Sequence, residues 1–153
     1  MKNLIKIALS ILIPATAISQ SNTPCSGMSV VAPSLAVNAT CSNTTATIDG
    51  ADSQQTNANN GGTPSCGSMG EDVWFTFTAP ASGNVDLTTT AGTITDAVMA
   101  VYSGSCGSFT EVDCDDDGGT GSMPLLNLTG LTAGNTYFIR LWDHGTMGEV
   151  QVI

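Results

Sequence analysis

Short alternating segments, separated by turn residues, constrain the fold of this chain more than any other feature. The clearest examples are VWFTFTA (73–79), AVMAVYS (97–103) and NTYFIRLW (135–142), which are rich in β-branched and aromatic residues. Turn signals such as PASG (80–83) separate them. No segment after the first twenty residues shows a helical period. The pattern predicts an all-β fold, a jelly-roll-like antiparallel β-sandwich of about seven to nine strands.

The large apolar residues of these strand-like runs are the candidates for the core. The predicted core residues are Trp74, Phe75, Phe77, Val85, Leu87, Val98, Ala100, Tyr102, Leu126, Leu128, Tyr137, Ile139, Leu141 and Val150.

The first nineteen residues carry the features of an export signal. Lys2 and Lys6 form a short basic start, an apolar run extends from Leu4 to Ile13, and small residues follow at 15–19. The apolar run is too short to span a membrane. We therefore predict a signal peptide at 1–19, a single domain at 20–153, and a secreted or cell-surface location. The sequence ends in a strand-like run, GEVQVI (148–153), which would suit the N-terminal part of a longer protein.

The charge balance restricts the partners of the chain. The chain has thirteen acidic residues and three basic ones (lysine and arginine), and removal of the signal would leave Arg140 as the one base. Nucleic acid and anionic membranes are poor partners for such a surface, whereas divalent cations are good ones. Because Arg140 lies among apolar strand residues, we expect it to pair with a carboxylate across the sheet.

Five cysteines in an exported chain indicate disulfides. Only seven residues separate Cys106 from Cys114, so we predict that this pair closes a hairpin or loop. Cys41 and Cys66 bracket a polar stretch and form the second predicted pair. Cys25 is left without a predicted partner.

The acidic stretch EVDCDDDGG (111–119) predicts a cation site. Asp113, Asp115 and Asp117, followed by Gly118, spell the first half of an EF-hand loop. The twelfth position is Pro124, where an EF-hand carries a bidentate Glu, so this is not an EF-hand. A calcium loop on a β-scaffold is the interpretation we adopt. A solvated acidic loop, or magnesium or manganese, are the alternatives, while a single histidine disfavours zinc.

Three longer segments resemble a known family. They are GEDVWFTFTAPASGNVDLTT (70–89), TDAVMAVYSGSCGSFTEVDCDDDGG (95–119) and LTGLTAGNTYFIRLWDHG (128–145). Together they are similar to the secreted β-sandwich accessory modules of Bacteroidetes, akin to the pre-peptidase C-terminal domains. Members of that family usually close with a cysteine after the last strand, where this chain reads VQVI.

This resemblance implies a non-catalytic module that binds substrate, glycan or cation beside another domain. It also implies that Asp96 joins Asp115, Asp116 and Asp117 as metal ligands, while Asp113 rests on the D-x-D-x-D spacing alone. Glu71 and Asp72 are additional candidates.

Trp142, Asp143 and His144 are a candidate ligand platform, since an exposed tryptophan beside polar groups can stack on a sugar. No G-x-S-x-G segment accompanies the histidine, and oxidised cysteines cannot act as nucleophiles, so we predict no catalysis. The predicted function is a secreted or cell-surface binding or adhesion module, stabilised by calcium, whose partner is a glycan or a protein surface. The alternatives are a fibre or matrix subunit that binds copies of itself through edge strands, and a carbohydrate-binding module of a larger hydrolase.

Overall fold

The computed structural model describes residues 3–8, 34–37, 43–45, 62–68, 72–92 and 94–144. These residues form nine β-strands and no helix, which confirms the predicted all-β class. The strands are β1 (Asn3–Ala8), β2 (Ser34–Leu35), β3 (Asn43–Thr45), β4 (Asp72–Thr78), β5 (Val85–Thr90), β6 (Ala97–Ser103), β7 (Thr110–Asp115), β8 (Leu125–Leu128) and β9 (Thr136–Asp143).

The strands form two sheets. The first sheet has the order β3-β1-β5-β8, and the second has the order β2-β4-β9-β6-β7. All pairs among β4 to β9 are antiparallel, whereas the pairs that involve β1 and β2 are parallel. From β4 onward the chain crosses between the sheets four times, interrupted by the β6–β7 hairpin. This alternation between two packed sheets is typical of a sandwich.

The main core lies between the two sheets. Val85, Leu87, Leu126 and Leu128 of the first sheet belong to the same buried cluster as apolar residues of the second. Every predicted core residue within the described part of the chain is buried, while Val150 lies outside it. The predicted residues are therefore buried, but they are divided between two clusters: Ala97, Met99 and Val101 of β6 face the main core, whereas the predicted Val98, Ala100 and Tyr102 face the other side of the sheet.

A second apolar cluster covers the outer face of the second sheet. It contains Trp74, Val98, Ala100, Tyr102 and Trp142, all fully buried. Segment 62–68 lies against this face, since a side-chain carbon built at Gly67 would be 2.6 Å from Val98. Because both faces of β6 are buried, its sequence AVMAVYS is apolar almost throughout.

One disulfide fixes segment 62–68, and it corrects the predicted pairing. Cys66 is bonded to Cys114 with a Cα–Cα distance of 5.8 Å, so the predicted Cys106–Cys114 and Cys41–Cys66 pairs are wrong. Cys114 lies within β7 opposite Ala100, and Cys106 lies in the turn beyond the far end of β6. The part of β7 before Cys114 is about 13 Å long, more than twice the Cα separation of a disulfide. Cys106 is itself disulfide-bonded, while Cys25 and Cys41 lie outside the described residues.

Arg140 is fully buried and pairs with Asp72. Its Nε donates to Asp72 Oδ2 at 2.6 Å, and a terminal nitrogen donates to the carbonyl of Gly62 at 3.1 Å. The guanidinium also lies 5.5 Å from the ring centre of Trp74 and 5.6 Å from that of Trp142. The expected cross-sheet carboxylate partner is thereby confirmed.

Strand β1 falls within the predicted signal peptide, where it pairs with β3 and β5. Cleavage after residue 19 and the domain bounds stay predictions. Among the described residues, no helix is long and apolar enough to cross a membrane.

Candidate metal centre and ligand groove

One end of the sandwich gathers the start of β6 and the ends of β7 and β9. Asp115 at the end of β7 lies opposite Met99, and Asp143 at the end of β9 lies opposite Ala97. The His144 amide donates to the carbonyl of Asp96 at 3.2 Å. Backbone pairing alone therefore brings residues about 50 positions apart in sequence to the same place.

Three carboxylates meet at this end. Asp96, Asp116 and Asp117 each offer an oxygen, and the three oxygens lie within 4.8 Å of one another. Calcium–oxygen distances are about 2.3–2.6 Å, so oxygens on opposite sides of one ion are about 5 Å apart. The spacing of this acidic cluster (Asp96, Asp116 and Asp117) therefore suits a single hard cation, with the remaining ligands supplied by carbonyl groups or water.

His144 lies next to the acidic cluster, a position that the sequence did not predict. Its Nδ1 is 3.7 Å from Asp96 Oδ2, and its Nε2 is 3.7 Å from Asp116 Oδ2. The imidazole thus lies between two of the three carboxylates. His144 was predicted as part of a ligand platform, not as a neighbour of the metal candidates.

Asp116 is the electrostatically disfavoured member of the acidic cluster. Its Oδ1 is buried and has no hydrogen-bond partner within the described residues. Burial raises the pKa of Asp116 above its usual value; His144 lowers it, and the charges of Asp117, Asp96 and Asp115 raise it further. A bound cation would coordinate this oxygen and would offset the repulsion among the carboxylates.

Asp115 shapes the loop and lies outside the acidic cluster. Its Oδ2 accepts hydrogen bonds from the amides of Gly118 and Leu125, both at 2.8 Å. These two bonds close residues 115–125 into a compact loop, which we call the acidic loop. Asp113 is exposed on β7 and accepts a bond from the Cys114 amide. Of the D-x-D-x-D series, only Asp117 reaches the cluster, because the first two aspartates are still within the strand.

The other predicted site residues have different surroundings. Asp72 is buried against Arg140, so it is not available as a metal ligand, and Glu71 lies outside the described residues. Trp142 is fully buried and donates from Nε1 to the Ser68 carbonyl at 2.7 Å. It therefore cannot stack on a ligand, and the predicted platform of Trp142, Asp143 and His144 is wrong in its central residue.

A groove of about 400 Å³ lies on another side of the acidic loop. Residues 88–91 of β5 and its continuation form one wall, and Gly119, Thr120, Pro124 and Leu125 form the other. Thr89 Oγ1 donates to the Pro124 carbonyl at 2.8 Å, which joins the walls. None of these lining residues is charged, although the chain as a whole is strongly acidic. No signal in the sequence marks this groove, because it forms only when β5 and the acidic loop pack together.

A family model described as galactose binding domain-like, of modules associated with the T9SS (type IX secretion system), matches residues 21–152. The chain belongs to this family. Comparisons with the curated proteins and with the solved structures find no significant match.

Galactose binding domain-like modules are β-sandwich accessory modules, usually non-catalytic, and this agrees with the fold. The predicted resemblance to secreted Bacteroidetes β-sandwich modules is confirmed at this level. The relationship to pre-peptidase C-terminal domains stays a prediction. As a galactose binding domain-like module, the chain has two features on which a binding function can be built, the acidic cluster and the uncharged groove.

Proposed function

We propose that this chain is a secreted or cell-surface module that binds glycan without catalysis and holds a calcium ion in its acidic cluster. The family match supports the binding role and an association with export. The convergence of Asp96, Asp116 and Asp117 within 4.8 Å carries the calcium proposal. The ion would fasten the acidic loop to the start of β6, and this loop is one wall of the groove.

Calcium is the favoured ion because the cluster offers carboxylate oxygens. His144, the single histidine of the chain, lies beside it, and zinc would use its ring nitrogen as a ligand, whereas calcium prefers oxygen ligands. The His144→Gln variant therefore separates the two ions. If the bound ion is calcium, the His144→Gln variant should still be stabilised by it.

The groove is the proposed glycan site. Its uncharged lining combines the hydroxyl groups of threonines with the apolar surfaces of Ala91, Pro124 and Leu125. Hydroxyl and apolar surfaces together suit a neutral sugar, whereas an anionic ligand would be repelled by the acidic loop nearby.

The calcium proposal is tested by thermal unfolding of the mature chain in about 5 mM calcium and in excess chelator. Extracellular calcium sites bind with dissociation constants of about 10⁻⁴ to 10⁻³ M, so calcium should stabilise the fold by about 1–2 kcal/mol, or roughly 4–10 °C in Tm. Asp117→Asn, at an exposed side chain, should lose this increment. Asp113→Asn, an exposed aspartate outside the cluster, is the matched control and should keep it. Equal Tm values for the wild-type chain in calcium and chelator would contradict the proposal.

The glycan proposal is tested on a glycan array in calcium. We expect a neutral glycan to bind the wild-type chain, and binding to fall at least about tenfold in the Thr90→Val/Thr120→Val double variant, which removes two hydroxyls from the groove. Thr132→Val is the control, because Thr132 is exposed in the turn before β9 and outside the groove. Binding that is unchanged in the double variant would place the ligand elsewhere.

The fibre or matrix alternative receives no support from β7, the edge strand of the second sheet. Glu111 and Asp113 put charges on this edge, and charged edges oppose strand pairing between molecules.

A further inference from the structure

One wall of the groove is made by the later part of the acidic loop. The loop residues that line it are Gly119, Thr120, Pro124 and Leu125. The two carboxylates that the same loop contributes to the acidic cluster, Asp116 and Asp117, precede this wall in the chain. The shape of the groove and the position of a bound ion can therefore have different causes.

A single carboxylate oxygen holds both ends of this wall. Asp115 Oδ2 accepts the amide hydrogens of Gly118, directly before the wall, and of Leu125, its last residue, both at 2.8 Å. Hydrogen bonds to an ionised acceptor are shorter and about twice as strong as neutral ones. Because Asp115 is the last residue of β7, its carboxylate connects the wall to the second sheet.

The two glycines that follow the aspartates allow the backbone to come this close. A side-chain carbon built at Gly118 would lie 2.5 Å from Asp115 Oδ2. The Gly119 amide donates to the Met123 carbonyl at 2.8 Å, and a side-chain carbon at Gly119 would lie 2.5 Å from that carbonyl oxygen. Atoms that are not bonded to each other do not approach to such distances, so the loop in this form requires glycine at both positions.

Two further contacts attach the loop to neighbouring strands. Thr89 Oγ1 of β5 donates to the Pro124 carbonyl at 2.8 Å, within the wall. The Ala97 amide of β6 donates to the Ser122 carbonyl at 3.1 Å, and Ser122 also forms a bridge with Asp96. Protein atoms alone therefore attach the loop to β5, β6 and β7.

We propose that Asp115 is the positioning residue of the groove: its bonds to the Gly118 and Leu125 amides set the loop wall, so that the groove keeps its shape and its affinity for glycan without calcium. A wall that is already ordered does not have to be ordered when a ligand binds. The ion would act on the other part of the loop, at Asp116 and Asp117, and stabilise the fold. The proposal rests on the glycan site proposed above, whereas it does not require calcium to bind.

Amide hydrogen exchange of the protein, with its disulfides intact, tests the positioning role without any glycan. The amides of Gly119 and Leu125 are compared with those of β6, which report the stability of the whole sandwich. In the wild-type chain, the ratio of these exchange rates should change less than about threefold between calcium and excess chelator. A ratio that rises by about tenfold or more without calcium would show that the ion sets the wall, and would overturn the proposal.

Substitution of Asp115, also in chelator, tests its carboxylate directly. Asp115→Ala should speed exchange of the Leu125 amide, relative to β6, by roughly 10- to 100-fold, the effect of losing a bond to a charged group. Asp115→Asn should restore most of the protection, because its amide oxygen can accept the same two bonds. Asp113→Ala, on the same strand and outside the loop, is the matched control and should leave this exchange unchanged. Exchange in Asp115→Ala equal to that of the wild type, or exchange in Asp115→Asn as fast as in Asp115→Ala, would reject the proposal.

A glycine variant tests the same contact while it keeps the charge of Asp115. Gly118→Ala adds a carbon that displaces the carboxylate, so exchange of the Leu125 amide should speed as it does in Asp115→Ala. Gly121→Ala lies in the same loop, where an added carbon has open space, and it should keep the Leu125 amide protected. An unchanged Leu125 amide in Gly118→Ala would contradict the assigned role.

The array of neutral glycans, run in calcium and in chelator, tests the consequence for binding. Wild-type signals should agree within about twofold, and Asp115→Ala should lose at least about tenfold while Asp115→Asn keeps most of the binding. Binding that disappears in chelator would overturn the proposal. An array on which no neutral glycan binds in either condition would reject the glycan site itself, and amide exchange would still decide the role of Asp115.

Discussion

At the scale of single residues, the chain contains two kinds of buried charge, one that is paired with an opposite charge and one that lies among like charges. Asp72 and Arg140 neutralise each other beneath segment 62–68, with bonds that use the guanidinium in two directions. Asp116 has three carboxylates near it, and one of its oxygens is buried without a hydrogen bond in the described structure. The first arrangement stabilises the fold, and the second is suited to a ligand that brings positive charge.

The raised pKa of Asp116 predicts a pH-dependent stability in the absence of metal. Because the folded chain binds this proton more tightly than the unfolded chain, stability should fall as pH rises from about 4, the ordinary pKa of an aspartate, through the raised value. Asp116→Asn should therefore raise Tm in chelator at pH 7, and this gain should vanish below about pH 4. In calcium the same variant should lose the stabilisation by the ion. Differential scanning calorimetry at several pH values measures both effects, and a variant less stable than wild type in chelator would contradict the prediction.

The Asp72–Arg140 pair predicts a large penalty for single substitutions. Asp72→Ala should cost about 3–5 kcal/mol, because the guanidinium stays buried without its carboxylate. The double variant Asp72→Leu/Arg140→Met should cost less than Asp72→Ala alone, since neither charge remains to be desolvated. Urea unfolding of the wild type, Asp72→Ala and the double variant compares their free energies of unfolding. A double variant less stable than Asp72→Ala would contradict the prediction and would mean that packing of Trp74 and Trp142 requires the guanidinium.

At the scale of elements, segment 62–68 converts an outer sheet face into interior. The Cys66–Cys114 bond attaches it to β7, Ser65 bonds to Glu111 through both its amide and its hydroxyl, and Trp142 bonds to the Ser68 carbonyl. The segment has no regular secondary structure, so its position depends on these attachments and on close contact with the sheet.

A pair of glycine substitutions measures that close contact. Gly62 and Gly67 have nearly the same backbone conformation, with φ of +68° and +65°. A side-chain carbon at Gly62 would have open space, whereas one at Gly67 would overlap Val98 at 2.6 Å. Gly62→Ala should cost about 1–2 kcal/mol for its left-handed backbone, and Gly67→Ala should cost about 1–3 kcal/mol more from overpacking. Chemical denaturation gives the difference, and equal costs would mean that the segment does not press on β6.

At the scale of the whole molecule, the all-β fold could be predicted from sequence periodicity, whereas the arrangement around the candidate site depends on how the strands pair. Alternating runs predicted the strands, and the predicted core residues are buried, although β4 and β6 are buried on both faces and burial there does not follow the pleat. Asp96, Asp116 and Asp117 were predicted as ligands, and the structure places them together. The position of His144 beside the acidic cluster was not predicted, because it depends on the pairing of β6 with β9. The groove was not predicted either, because it depends on the packing of a loop against β5. The disulfide was mispredicted because proximity in sequence is a poor guide to proximity across a sheet.

The disulfide that holds segment 62–68 also restricts the cellular compartment in which this domain can reach its final fold. Its covalent link joins thiols 48 positions apart, and a loop of that size contributes about 4 kcal/mol in the chain-entropy model. A cytosol rich in glutathione keeps such thiols reduced. In that compartment only noncovalent contacts would hold segment 62–68 on the outer face of the second sheet, where Trp74 and Trp142 lie. Preparations made in an oxidising compartment and in a reducing one should therefore differ in near-ultraviolet circular dichroism, which reports how rigidly the indole rings are held.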